Sequence, residues 1–305
     1  MGVATFEEPG SVGWTSRGKT KLEIDVNDRD LPKQRAKPRQ LSKPLHSGEN
    51  EEADTQIVLS LARGLDILSA FRRTDNALGN AELAERTGIT KPTVSRLTYT
   101  LAAHGFLQFD ARARVYSLGV KAIAMGAVAM ATTSVRSQAL PLMRSLAQGS
   151  QFNVGLGMRD AHQMVYIEAC EGDALIALRL FPGSRVPLAT SAMGRAYLAA
   201  LPDQERELQM AELRPRYDDD WPRIVRGIEQ ACSDLATHGF CTSLGDWQKD
   251  IHGLAVPVRP IPGQGRFVVN LGGPAYALRE ADIRDKLGPQ LVDLVQTLEV
   301  LLGLR

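Results

Sequence analysis

The chain has little that would support disulfide, metal or membrane chemistry. Its 305 residues hold three cysteines, Cys170, Cys232 and Cys241, with no close-spaced pair among them. That pattern fits buried thiols in a reducing cytoplasm better than a disulfide framework or a zinc site. The five histidines are scattered, with no His-x-x-x-His or mixed His/Cys cluster, so neither a metal nor a cofactor is expected. No Gly-rich loop ends in Gly-Lys-Ser/Thr, and no nucleophile–base arrangement or carboxylate pair stands out, which leaves an enzyme without a visible centre. The most apolar run, residues 120–131, is shorter than the roughly 20 residues a bilayer requires. The N-terminal stretch lacks the continuous apolar region of a signal peptide, so the expected location is cytoplasmic, with no membrane partner. An excess of one charge is missing too: the formal net charge is +1, and any basic surface for a nucleic acid has to be local.

Such a local excess exists. Residues 57–121 hold nine Lys/Arg against five Asp/Glu, a net of +4, whereas residues 122–305 hold eighteen against twenty, a net of −2. The basic segment contains a helix, a tight turn and a second helix over residues 80–105. Asn80 is placed to cap the first helix with Glu82 in its first turn, and Gly88 supplies the permissive backbone that ends it. Thr90 is placed to cap the second, with Pro92 in its first turn and Val94, Leu97 and Leu101 along one face. The other face carries Lys91, Thr93, Ser95, Arg96 and Tyr99. Short polar donors and cations at the start of a helix suit base edges and phosphates in a major groove. An ordinary surface helix satisfies the same pattern.

The flanks narrow the choice. Leu61, Leu65, Leu68 and Phe71 recur at helical spacing and predict a first helix whose apolar side covers the pair. After Gly105, residues 106–109 and 115–118 read as two strands around a turn that carries Arg112 and Arg114. Three helices and a basic-tipped hairpin make a winged helix-turn-helix plan over residues 56–119, with the arginines placed for a backbone or minor groove. Residues 1–55 read as a disordered tail, in which Lys33, Arg35, Lys37, Arg39 and Lys43 are either simply solvated, the commoner case, or in loose contact with phosphates. Residues 120–135 read as a linker helix whose small apolar side is either a dimer surface or ordinary core packing.

From residue 136 onward strands and helices alternate. Strands are predicted at 152–158, 164–167, 174–180, 240–243, 253–258 and 266–272, and helices at 191–201, 203–212, 221–237 and 280–302. Residues 182–188 read as an irregular loop, with Thr190 as the cap of the helix that follows. This is an α+β domain, expected to have its sheet covered on one side. The loop that enters a helix at residues 190–193 points free backbone N–H groups outward, which favours an anion.

These residues resemble the IclR type of transcriptional regulator from residue 57 to the C-terminus. The likeness rests on Arg63-Gly64-Leu65-Asp66-Ile67-Leu68, Thr93-Val94-Ser95-Arg96-Leu97, Gly105-Phe106-Leu107, Gly183-Ser184-Arg185-Val186-Pro187-Leu188, Met193-Gly194-Arg195-Ala196, Ala255-Val256-Pro257-Val258 and Gly273-Pro274. It implies two domains, an N-terminal winged helix-turn-helix and a C-terminal α+β GAF-like effector-binding domain. It further implies a dimer or tetramer on a palindromic operator in double-stranded DNA, a small organic-acid effector, and control of catabolic genes. By the family pattern Ser191, Ala192, Met193, Gly253, Asn270 and Gly272 line the effector cavity, with Arg185 at its rim. Gly253 stands where many members have Cys, and Asn270 and Gly272 where Ser is frequent, so the ligand stays open. The loop Asp246-Trp247-Gln248-Lys249-Asp250 is a candidate source of that altered specificity, or a solvated turn. Two other functions compete with a regulator: a small-molecule enzyme, and a DNA-binding or interaction module that needs no ligand.

Overall fold

The computed structural model describes residues 22–24, 57–172, 176–178 and 180–305. The tail expected over residues 1–55, with its basic run, lies outside the described residues except for strand β1 (Leu22–Ile24). The N-terminal unit contains α1 (Leu59–Ser69), α2 (Asn80–Thr87), α3 (Lys91–Ala103), β2 (Leu107–Asp110) and β3 (Val115–Leu118). α2 stops where Gly88 turns left-handed at φ 70°, its N–H reaching the Ala84 carbonyl at 2.9 Å; glycine takes this conformation without strain. α3 then restarts with Pro92 in its first turn. Ile67, Leu78, Leu83, Val94, Leu107 and Tyr116 form the small core. The Asp110 carboxylate accepts from the N–H groups of Arg112 and Ala113 at 2.8 and 3.0 Å and closes the turn between β2 and β3.

Several local details differ from expectation. Asn80 is the first helical residue of α2 rather than its cap; Gly79 precedes it and donates its N–H to the Glu82 carboxylate at 3.0 Å. The Asn80 side-chain oxygen instead accepts from the Thr98 hydroxyl at 3.2 Å and ties α2 to α3. Thr90 occupies the cap position of α3, but its hydroxyl meets that of Thr93 at 3.0 Å instead of a backbone N–H. α1 presents Leu61 and Leu65 to solvent and buries Gly64 and Ile67. Leu97 is only half-buried, while Leu83 is fully enclosed. Leu83→Ala is therefore expected to destabilise the winged unit by about 2–5 kcal/mol, and Leu97→Ala by clearly less, because a rim position relaxes without leaving a closed cavity. Thermal unfolding of the two variants side by side reads this, and an equal loss would refute the ordering.

α4 (Val120–Thr132) and α5 (Ser134–Ser150) lead into the second unit. β4 (Asn153–Asp160), β5 (Gln163–Cys170), β7 (Arg185–Pro187), β8 (Cys241–Leu244), β9 (Ile251–Pro257) and β10 (Phe267–Pro274) form one sheet in the order β7-β5-β4-β10-β9-β8. Every neighbouring pair is antiparallel. β6 (Ile176–Leu178), expected as a longer third strand, pairs in parallel with β1 outside this sheet. Residues 185–187, expected in a loop, take the edge place against β5.

The helices are α6 (Ala192–Ala199), α7 (Asp203–Leu213), α8 (Trp221–His238), α9 (Glu280–Asp282) and α10 (Gly288–Leu301), with a π-helical turn (Ile283–Leu287) between the last two. α8 ends at Gly239, left-handed at φ 78°. The sheet is covered on both faces, not one. Leu254, Val256, Val269 and Leu271 pack with α5 and α10, and the alternating Ala255 and Val268 pack with α6 and α8. β10 is buried at every position, as a central strand between two helical layers must be.

Candidate functional site

The exposed side of α3 carries Lys91, Ser95, Arg96 and Tyr99, opposite the buried Val94 and Thr98. Thr93 is half-buried and bound to Thr90, so its hydroxyl is partly committed. Arg112 and Arg114 are exposed in the turn between β2 and β3, Arg114 with a left-handed φ of 57°. Leu107 and Tyr116 share one core with Val94, so the hairpin and α3 are parts of a single rigid unit. Such a unit can place cations and short hydroxyls against a duplex.

In the second unit a small cavity opens at the start of α6. Ser191 caps that helix: its Oγ accepts from the Gly194 N–H at 3.1 Å and donates to the Pro187 carbonyl at 2.6 Å. Thr190, the expected cap, is displaced from that role by one position. The N–H groups of Ala192 and Met193 are first-turn donors that a helix does not satisfy internally, and the helix dipole adds positive potential there. Gly194 lets the helix approach the preceding loop, since a Cβ would stand 2.0 Å from the Leu188 carbonyl oxygen.

Ser191, Ala192, Met193, Gly253, Asn270 and Gly272 lie together on the wall of this cavity. Arg185 does not line it; its guanidinium pairs with Asp160 at 2.6 Å and reaches Gln163 at 3.3 Å on the β4–β5 hairpin. Tyr166, Trp247 and His252 also line the cavity, with no sequence assignment beyond the candidate loop that holds Trp247. The Asn270 amide donates to the Tyr166 hydroxyl at 3.0 Å, while the Asn270 Oδ1 is buried without a partner. Burial pushes the Tyr166 phenol far above its ordinary range and keeps it neutral. His252 Nδ1 lies 2.8 Å from the Leu278 carbonyl, so that nitrogen carries the proton and Nε2 is left for another partner. The glycines of β4 make room for these groups: a Cβ on Gly155 would stand 2.2 Å from the Tyr166 ring, and one on Gly157 2.4 Å from the Met193 sulfur.

Trp247 is held by an ion pair beside it. Arg195, buried on α6, donates to the Asp246 carboxylate at 2.8 Å and to the Thr242 carbonyl at 3.3 Å. α8 leaves space for the guanidinium at Gly227, where a Cβ would stand 2.3 Å from Arg195 Nη2. The thiols do not build a nucleophile: burial pushes Cys241 up to about 12 and raises Cys170 and Cys232. No group of His, Cys, Asp and Glu suited to a metal occurs among the described residues, and none of the described helices is long and apolar enough to cross a membrane.

Residues 60–111 match the IclR helix-turn-helix domain, and residues 127–300 match the C-terminal domain of the bacterial transcriptional regulator IclR. The chain is 33% identical to the HTH-type transcriptional regulator TsaQ1/TsaQ2 of Comamonas testosteroni over 82% of its length and 90% of that protein's. A crystal structure of an IclR family transcriptional regulator from Brucella abortus superposes with a TM-score of 0.75 at 38% identity, covering 85% of this chain and 97% of the other. An IclR homologue of Microbacterium hydrocarbonoxydans, crystallised with 4-hydroxybenzoate, shares the fold at a TM-score of 0.64 and 18% identity, over 81% and 100% of the two chains. The first two of these relatives are transcriptional regulators. Two matched domains in sequence, a helix-turn-helix unit and an α+β unit built around one sheet, place the chain in the IclR family of transcriptional regulators.

Proposed function

We propose that this regulator binds a palindromic operator as a dimer or tetramer and answers to a small carboxylic or aromatic acid, controlling catabolic genes in the cytoplasm. The observation that carries this is the pairing, in one chain, of an exposed polar and cationic helix face with a cavity at the N-terminus of α6. Lys91, Thr93, Ser95, Arg96 and Tyr99 would read the major groove, with Arg112 and Arg114 on the backbone or minor groove. The effector's acid group would lie at Ser191, Ala192 and Met193, and its body against Gly253, Asn270 and Gly272. Tyr166 and Trp247 extend that site with a phenol and an aromatic wall. Arg185 drops out of the proposed set, since its charge is spent on Asp160.

Self-association is supported by exposed apolar side chains on two helices. Val120, Ile123, Met125 and Val128 on α4, and Leu59, Leu61 and Leu65 on α1, all face solvent in the single chain. A twofold partner would cover them and would match a twofold operator.

The test has two arms. Selection from a randomised duplex pool should enrich a palindrome, and a panel of small carboxylates and aromatic acids, 4-hydroxybenzoate included, should raise the unfolding temperature of the full chain for at least one member. That member should also change affinity for the selected duplex by roughly 5–150-fold. A selected duplex whose affinity no panel member alters would leave a DNA binder without the proposed effector response.

A further inference from the structure

Tyr166 belongs to two structures at once. Its hydroxyl accepts the Asn270 amide at the cavity, and its main chain holds the loop of residues 181–184. The Tyr166 N–H donates to the Ser184 carbonyl at 2.9 Å, and the Gly183 N–H donates to the Tyr166 carbonyl at 2.8 Å. The loop is also closed on itself, because the Phe181 N–H donates to the Ser184 hydroxyl at 3.1 Å and the Ser184 N–H to the Phe181 carbonyl at 2.9 Å. Phe181 is thus tied through Ser184 and Gly183 to the main chain of Tyr166, so a shift of that main chain moves the loop.

Over the Phe181 ring stands a cation from the other unit. The guanidinium carbon of Arg73 lies 3.5 Å from the ring centroid, and a cation on an aromatic face is attracted by its quadrupole. Arg73 sits in the turn after α1, and that turn is fastened to the helix-turn-helix. Asp75 accepts from the Arg72 N–H at 2.8 Å and takes both prongs of the Arg86 guanidinium, one of them at 2.9 Å. Arg86, on α2, also donates to the Ala70 carbonyl at 3.1 Å. The Arg86 hydrogen bond holds the Asp75 carboxyl below the usual carboxylate range, so this fastening is ionised at neutral pH. From α2 the Asn80–Thr98 hydrogen bond reaches α3.

We propose that the Arg73–Phe181 contact is the link by which filling of the cavity is felt at α3. It has that role only if the cavity takes an effector and α3 takes DNA, as proposed above. An effector biases a two-state equilibrium only through interactions that differ between the states. A ligand that presses on the Tyr166 ring and displaces its main chain moves the 181–184 loop and so makes or breaks the cation–ring contact, which touches both units.

A push on Tyr166 needs no ligand: Gly155→Ala places a Cβ against its ring. In the full chain, with a duplex selected from a random pool by the wild-type protein, Gly155→Ala should change affinity by roughly fivefold or more. In an Arg73→Ala background the same substitution should change it by less than about twofold, whereas independent sites would give the same change in both backgrounds. Arg73→Lys, which keeps a cation over the ring, should restore the larger change. An equal change in both backgrounds, or none in the wild-type background, overturns the link. If Gly155→Ala does not fold, Tyr166→Phe, which removes the hydroxyl bonded to Asn270, takes its place in the same cycle with the same outcomes. A wild-type chain that selects no duplex overturns the function proposed above and the link together, so the two failures are told apart by the wild-type arm alone.

Discussion

Replacing Arg96 by alanine should weaken binding to a selected duplex by about 1–3 kcal/mol, roughly 5–150-fold, while leaving the unfolding temperature unchanged. Two observations separate these outcomes. The Arg96 side chain is exposed on α3, and among the described residues it makes no hydrogen bond or ion pair; the Thr100 hydroxyl, 3.0 Å away, is bonded to the Arg96 backbone carbonyl. Removing the guanidinium therefore takes nothing from the core, while the duplex loses a donor that can read guanine at two points. A paired Arg112→Ala/Arg114→Ala variant should behave differently. Its loss should be similar for all sequences, and the slope of log affinity against log salt should fall by about 2, because backbone contacts are counted in released ions. Titrations at several salt concentrations distinguish the two. If Arg96→Ala bound the selected duplex as tightly as the wild type, α3 would not be the reading helix.

The helix pair was readable because its signals are local. Gly88 ends one helix, Pro92 starts the next, and Val94 marks the inner face by spacing alone. The α1 stripe is half right: Leu68 and Phe71 pack against the core while Leu61 and Leu65 face solvent, because Leu59, Leu61, Leu65, Ile67 and Leu68 surround most of the helix and periodicity admits more than one inner face. Only the packing of Ile67 and Gly64 against the pair decides it. In the second unit, continuous apolar stretches of strand such as residues 254–256 and 267–269 indicate burial on both faces, a signal outweighed by the expectation of one helical layer.

The cavity was legible where it lies on the start of α6 and on strands the family pattern marks, and illegible elsewhere. Tyr166 reaches it because β5 pairs with β4 at Gly155 and Gly157, whose missing side chains let the ring lie across the strand. No pattern within residues 163–170 announces this. Trp247 reaches it because Asp246 meets an arginine 51 positions earlier in the chain, which spacing cannot reveal. Arg185 fails the other way: a cation near the expected rim is taken by Asp160 once β7 pairs with β5.

The ion pair that holds Trp247 is asymmetric, and the asymmetry fixes what its removal should do. The Arg195 side chain is 7% exposed and that of Asp246 32%. Asp246→Ala leaves a buried guanidinium with the Thr242 carbonyl, a more distant partner, and an Nε that has no partner already. Breaking a buried pair from one side costs about 3–5 kcal/mol; with one member partly solvated, the lower end of that range applies. For a domain of this size that is a fall of roughly 6–12 °C in unfolding temperature. Arg195→Met should cost less, because the carboxylate it abandons still reaches water and Arg223, 3.6 Å away. Adding Arg195→Met to Asp246→Ala should recover stability, since no stranded charge remains and the methionine fills apolar space. Acid binding should not recover with it, because residues 245–250 lose their anchor in either variant and Trp247 no longer walls the cavity. Unfolding scans and Trp fluorescence titrations with a bound acid separate the two effects, and a double variant less stable than Asp246→Ala alone would show that the arginine is more than a charge waiting for a partner.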